Sequence, residues 1–147
     1  MALFSKLPVN KKEIEQAIAM LEQRTSAELR VFIEGKMPKK MKTAFERAFQ
    51  VFQELEMDNT LNRNAVLIYI AYKDHQCTII GDEGIHQFVG EQFWQQTCEA
   101  MITYFKRAAF TLGICHGIEK IGNELVQHFP VQEDDVNELP NEVIIHD

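Results

Sequence analysis

Apolar positions along the chain follow two rhythms. Ile14, Ala17, Ile18 and Leu21 recur at i, i+3, i+4 and i+7, one stripe of a helix. Asn10 is placed to cap that helix, with Glu13 three positions on in a capping arrangement, and the pattern predicts an end near Arg24. The period then drops to two. Over 27–34, Leu29, Val31 and Ile33 alternate with Glu28, Arg30, Phe32 and Glu34. That predicts a strand with one strongly apolar face, less central in its sheet than the strand that follows. Ala65–Tyr72 is a near-continuous apolar run, the pattern of a strand buried on both faces. Lys73-Asp74-His75-Gln76 is a polar break of hairpin length. Cys77–Ile80 reads as the returning strand, and it ends at Gly81-Asp82-Glu83-Gly84.

Helical spacing fills the rest. A helix is predicted over 39–57, with Met41, Ala44, Phe45, Ala48, Phe49, Phe52 and Leu55 on one broad core-facing side. Ile85–Val89 reads as a short helical turn, and Gly90 opens a helix over 91–108. The stretch 110–113 is expected to break or bend the chain, and a last helix runs over 112–127 with Ile114, Ile118, Ile121 and Leu125 as its stripe. A strand, a helix and a strand form a crossover unit, which makes 27–34 and 65–72 parallel, and the hairpin adds 77–80 antiparallel. The expectation is an α/β fold, a small mixed sheet with about four main helices packed on it. The division is a body over 1–130 and an acidic tail over 131–147, whose Leu139 and Val143-Ile144-Ile145 are apolar enough to lie on the body or pair as an edge strand.

Charge sharpens that division. The formal charge of the 147 residues is −7, and the tail holds Glu133, Asp134, Asp135, Glu138, Glu142 and Asp147 with no Lys or Arg. The body is therefore nearly neutral. That argues against nucleic acid as a partner, since phosphate binding needs a clustered basic surface; Lys36, Lys39, Lys40 and Lys42 read as a solvated turn. Cys77, Cys98 and Cys115 are odd in number and scattered within apolar segments, which suits buried free thiols in a reducing compartment. No secretory signal and no membrane-length apolar run is visible, so a cytoplasmic protein is expected. The five histidines lack ligand spacing, and no Walker, Rossmann or nucleophile-elbow motif occurs.

The topology itself gathers chemistry. With two parallel strands and an antiparallel return, the starts of 27–34 and 65–72 and the end of 77–80 share one edge of the sheet. That edge carries Ser26, Glu28, Asp58, Thr60, Arg63, Asn64, Gly81, Asp82, Glu83 and Gly84. Glu28, Asp58, Asp82 and Glu83 are hard oxygen ligands suited to Ca²⁺ or Mg²⁺. Arg63 is a planar cation for a carboxylate or phosphate, and with a metal it would support attack of water on a phosphate ester, Asp82 and Arg63 being the catalytic candidates. The plainer reading of the same residues is a salt bridge from Arg63 to Asp82 or Glu28 that pins the loops. Gly81 and Gly84 let the backbone turn tightly there.

Several stretches together, TSAELRVFIE, RNAVLIYIAYKDHQCTIIGDEGIHQFVGEQFW, GIEKIGNELVQHFP and NELPNEV, resemble the TPM domain family, which includes the thylakoid-lumen acid-phosphatase-like proteins. The likeness covers about 10–143 and points to the short soluble bacterial branch. It implies a three-layer α/β/α sandwich, divalent-cation binding (Ca²⁺ in some members) and phosphatase activity of the kind reported in the plant branch. By position the family motif falls on Glu28, Arg63, Asn64, Asp82 and Gly84. Many members carry an aspartate-bearing segment before the first helix, where this chain has KLPVNKKE. Three functions stand open: a cation-binding domain acting by binding or through a protein partner, a weak metal-assisted phosphomonoesterase, or a structural and interaction protein without an active site.

Overall fold

A computed structural model describes residues 9–132 and 137–146. Of the tail acids, Glu133, Asp134, Asp135 and Asp147 lie outside the described residues, as does most of the stretch before Asn10. The first helix, α1, spans Lys11–Glu22. The Asn10 side chain accepts from the Glu13 backbone N–H at 3.0 Å, as the cap predicts. The Asn10 N–H donates instead to Thr111 Oγ1 at 2.9 Å, which fastens the start of α1 to the last helix.

Four strands, β1 Glu28–Glu34, β2 Ala65–Ala71, β3 Gln76–Gly81 and β4 Ile144–His146, form one sheet in the order β3-β2-β1-β4. β1 pairs parallel with β2, Glu28 opposite Ala65, and β2 pairs antiparallel with β3, Val66 opposite Gly81. The apolar end of the tail does pair as an edge strand, parallel to β1, with Ile144 opposite Phe32. β1 is therefore interior and every one of its residues is buried, against the expectation of a less central strand. Its polar face survives burial because each polar residue meets a partner. Glu34 takes two hydrogen bonds from Arg47, at 2.8 and 3.0 Å, and one from the Tyr69 hydroxyl. Arg30 Nη2 donates to the Glu142 carbonyl at 3.4 Å, and Glu28 Oε1 accepts from the Leu139 N–H at 3.0 Å.

One core packs α1, α3 (Glu83–Phe105) and α4 (Phe110–His128) on one face of the sheet; a second packs α2 (Ala44–Glu54) on the other. The architecture is an α/β/α sandwich. α2 is shorter than the predicted 39–57 because Thr43 caps it: Thr43 Oγ1 accepts from Glu46 N at 3.0 Å, and Glu46 Oε1 accepts from Lys42 N at 2.9 Å. Its buried stripe is Ala44, Ala48, Val51 and Phe52. Phe45 and Phe49, expected in the core, are 56% and 47% exposed and stack on each other with centroids 6.4 Å apart. Small alanines let α2 lie close on the sheet, and the two phenylalanines sit one residue round the helix from them. The hairpin turn is a single 3-10 turn, Tyr72–Asp74, closed by left-handed His75. α3 kinks at Gly90, where φ is +78°, matching the expected division there. The break before α4 falls at left-handed Ala108 and not at 110–113.

Candidate functional site

The register brings the predicted edge together. Asp82 N–H donates to the Ala65 carbonyl at 2.9 Å, extending the β2–β3 ladder by one step. Glu28, Ala65 and Asp82 thus form a row across three strands, with Glu28 and Asp82 two strand spacings, roughly 10 Å, apart at their Cα atoms. The two carboxylates have different partners, the Arg63 guanidinium for Asp82 and the Leu139 N–H for Glu28.

Asp82 belongs to Arg63. Arg63 Nε donates to Asp82 Oδ2 at 2.7 Å and Nη2 to Oδ1 at 2.9 Å, a bidentate pair. The Glu83 N–H also donates to Asp82 Oδ1, at 2.7 Å, so the same carboxylate caps α3. Exposed Glu83 adds a contact to Arg63 Nη1 at 3.2 Å. The hydrogen bonds to Asp82, with the charges of Asp82, Glu83 and Asp58 behind them, raise the Arg63 pKa above its ordinary value. Arg63 itself has φ +50°, a left-handed turn that ends the 58–64 connector. Gly84 fits beneath it: a Cβ there would lie 2.3 Å from the Asn62 carbonyl oxygen and 2.5 Å from that of Arg63. Gly81 makes similar room for the Trp94 ring, 2.4 Å from where its Cβ would stand.

Asn64 and Ser26 knit the strand starts. Asn64 N–H donates to Thr60 Oγ1 at 3.2 Å, and its side-chain amide donates to the Ser26 carbonyl at 3.2 Å. Ser26 N–H donates to the Phe129 carbonyl at 2.9 Å. Asp58 is exposed on the connector and reaches this group only through its charge on Arg63.

Glu28 has a different neighbourhood: its charge acts on Glu22, at the end of α1, and its Oε1 holds the Leu139 N–H. Glu22 Oε2 accepts from the Leu29 N–H at 3.1 Å, at a point on β1 that the short β4 does not reach. Burial first, and the Glu28 charge second, push the Glu22 carboxyl up to about 8, the Leu29 hydrogen bond only partly opposing them. The two glutamates line a cavity of about 270 Å³ with Thr25, Ser26, Ala27, Val131, Gln132 and Asn137. The sequence pattern missed Glu22 because it lies in the last turn of a helix, six residues and one turn before the strand. The signal present was an acidic residue at a helix C-terminus, where the dipole disfavours it.

Among the described residues no group of three His, Cys, Asp or Glu side chains is arranged to hold a metal. The edge instead divides in two. On one side Asp82 has both oxygens engaged by Arg63 and the α3 cap. On the other, Glu22 and Glu28 share a cavity with hydroxyl and amide oxygens, a donor set of the kind Ca²⁺ or Mg²⁺ accepts when water completes it.

Fold and edge together define a small α/β protein of the sandwich type, with its polar residues concentrated at the starts of the parallel strands. The TPM domain matches residues 4–124, and the chain belongs to the TPM domain family. It is similar over its whole length to the BA42 protein of the psychrophilic bacterium Bizionia argentinensis, solved by NMR: 39% identity, 99% of each chain covered, TM-score 0.85. The N-terminal domain of the cg2496 protein of Corynebacterium glutamicum shares the fold at 13% identity and TM-score 0.58, covering 82% of this chain and 74% of that one. Comparison with curated proteins gives no match. No described helix is long and apolar enough to cross a membrane.

Proposed function

We propose that this TPM-domain protein binds a divalent cation, Ca²⁺ or Mg²⁺, in the cavity between Glu22 and Glu28, and that binding is its primary activity. The observation that carries this reading is that both glutamates line one cavity and that the Glu28 charge acts on the Glu22 carboxyl. A cation there would draw the proton from Glu22 and relieve the repulsion that raises its pKa. Ser26 and Asn137, on the same walls, supply neutral oxygens. Arg63 and Asp82 then act as the frame that fixes the neighbouring strand ends, with Glu83 exposed beside them. The test is calcium titration followed by amide NMR, wild type against Glu22→Gln.

A weak phosphomonoesterase is the second reading. It is favoured by Arg63, whose side chain is 43% exposed beside a cavity of about 550 Å³ lined by Asn62, Glu83, Gly84, His86 and Gln87. An anion there would face a guanidinium and the start of α3. Turnover of a phosphomonoester that Arg63→Met abolishes supports it; turnover that survives the substitution rejects it.

A further inference from the structure

We propose that Cys77 and Cys98 are a dithiol that oxidises to an intramolecular disulfide, latching β3 to α3 around the segment that carries Asp82. The two Sγ atoms lie 3.7 Å apart although the residues are 21 positions apart in sequence. Closing to the roughly 2 Å of a disulfide asks for a movement well under the width of a side chain. Both thiols are free; Cys98 is buried and Cys77 half-buried on β3, the outermost strand on its side of the sheet. The hydrogen bond to Cys98, and then burial, raise the Cys77 thiol well above its ordinary range, so Cys77 rests as a thiol. Cys115 stands apart on α4.

The co-reactant is a low-molecular-weight disulfide. The thiolate of one cysteine attacks a sulfur of that disulfide, its S–S bond breaks, and one small thiolate leaves and takes up a proton. The second protein thiol then gives up its proton and attacks the mixed disulfide, expelling the other small thiol. Two protein thiols are oxidised and one external disulfide is reduced to two thiols. The closed loop contains Asp82, Glu83, Gly84 and the Gly90 kink, so oxidation ties down the only glycine-hinged stretch of α3 among the described residues.

The experiment takes the full chain, reduced and unfolded in denaturant, and refolds it in excess oxidised glutathione so that burial does not limit access. The expected product has lost two hydrogens by intact mass, and peptide mapping joins Cys77 to Cys98. Its Tm stands about 5–10 °C above the reduced protein. Cys115→Ser retains the cross-link, and Cys77→Ser loses it. Stable glutathione adducts on Cys77 or Cys98, persistence of both thiols, or a cross-link through Cys115 overturns the proposal.

Discussion

The Arg63 guanidinium holds both oxygens of Asp82, at 2.7 and 2.9 Å, across the open end of the β2–β3 hairpin. The two are nineteen positions apart in sequence, and the hairpin returns one to the other. Asp82 also starts α3, so a single carboxylate joins the connector, the sheet and the helix. The pair makes the edge rigid; it also occupies the carboxylate that the sequence pattern offers most readily to a metal.

Two substitutions at Asp82 separate its roles. Asp82→Asn keeps an acceptor for the α3 cap but loses the ion pair; Asp82→Ala loses both. Chemical denaturation is expected to place the alanine variant about 1 kcal/mol below the asparagine variant, the value of an N-cap. Because Arg63 is 43% exposed, the gap between wild type and Asp82→Asn is expected to narrow in about 1 M salt.

Glu22 predicts a pH dependence of definite sign. Its carboxyl titrates at about 4.3 in the unfolded chain and about 8 in the folded protein. Between those values the folded state holds more protons, so its contribution to stability falls as pH rises and levels off above about 8. Glu22→Gln keeps the oxygen that accepts from Leu29 and removes the titration. The variant is expected to be more stable than wild type at pH values above that window, by up to about 5 kcal/mol before solvent screening of the partly exposed carboxyl reduces it, and equal to it at acid pH. Denaturation curves across the window check this directly.

Gly84 is where the connector and α3 meet, and the atoms in the way are backbone carbonyls, which cannot step aside as a side chain would. Gly84→Ala is expected to cost about 1–3 kcal/mol. It should also perturb the amide signals of Asn62 and Arg63 before those of the distant hairpin turn.

Much of this was legible in the sequence because strands and cores write themselves in local patterns. The run at Ala65–Tyr72 announced a buried strand, Asn10 announced a cap, and the crossover rule placed Glu28, Arg63 and Asp82 at one edge. Three things depart from the reading of the pattern, each for a physical reason. Phe45 and Phe49 share a helical repeat with Phe52, and spacing alone does not choose which adjoining stripe faces the sheet. The Thr43-x-x-Glu46 capping box was readable but was overrun by the apolar periodicity on either side. β1 looks half-polar because its partners, Arg47, Tyr69 and the tail, come from far along the chain. The Glu22–Glu28 and Cys77–Cys98 contacts are tertiary in the same sense.

That buried partnership is itself testable. Glu34 lies under α2 with Arg47 and the Tyr69 hydroxyl on it, and burial with the Glu34 hydrogen bond pushes the Tyr69 phenol far above its ordinary value. Arg47→Met strands the Glu34 carboxylate and is expected to cost about 3–5 kcal/mol. Tyr69→Phe removes one hydrogen bond and leaves the cation, for about 1–2 kcal/mol. Thermal or chemical unfolding that ranks them in the opposite order would show that Arg47 is not the main support.

Calcium titration of the full chain at neutral pH, followed by amide NMR, tests cation binding most directly. Saturable shifts are expected at residues 22–28, 131–132 and 137–139, with a proton released on binding and with both effects lost in Glu22→Gln. Shifts absent from those residues, or unchanged by Glu22→Gln, would contradict a cation site between Glu22 and Glu28.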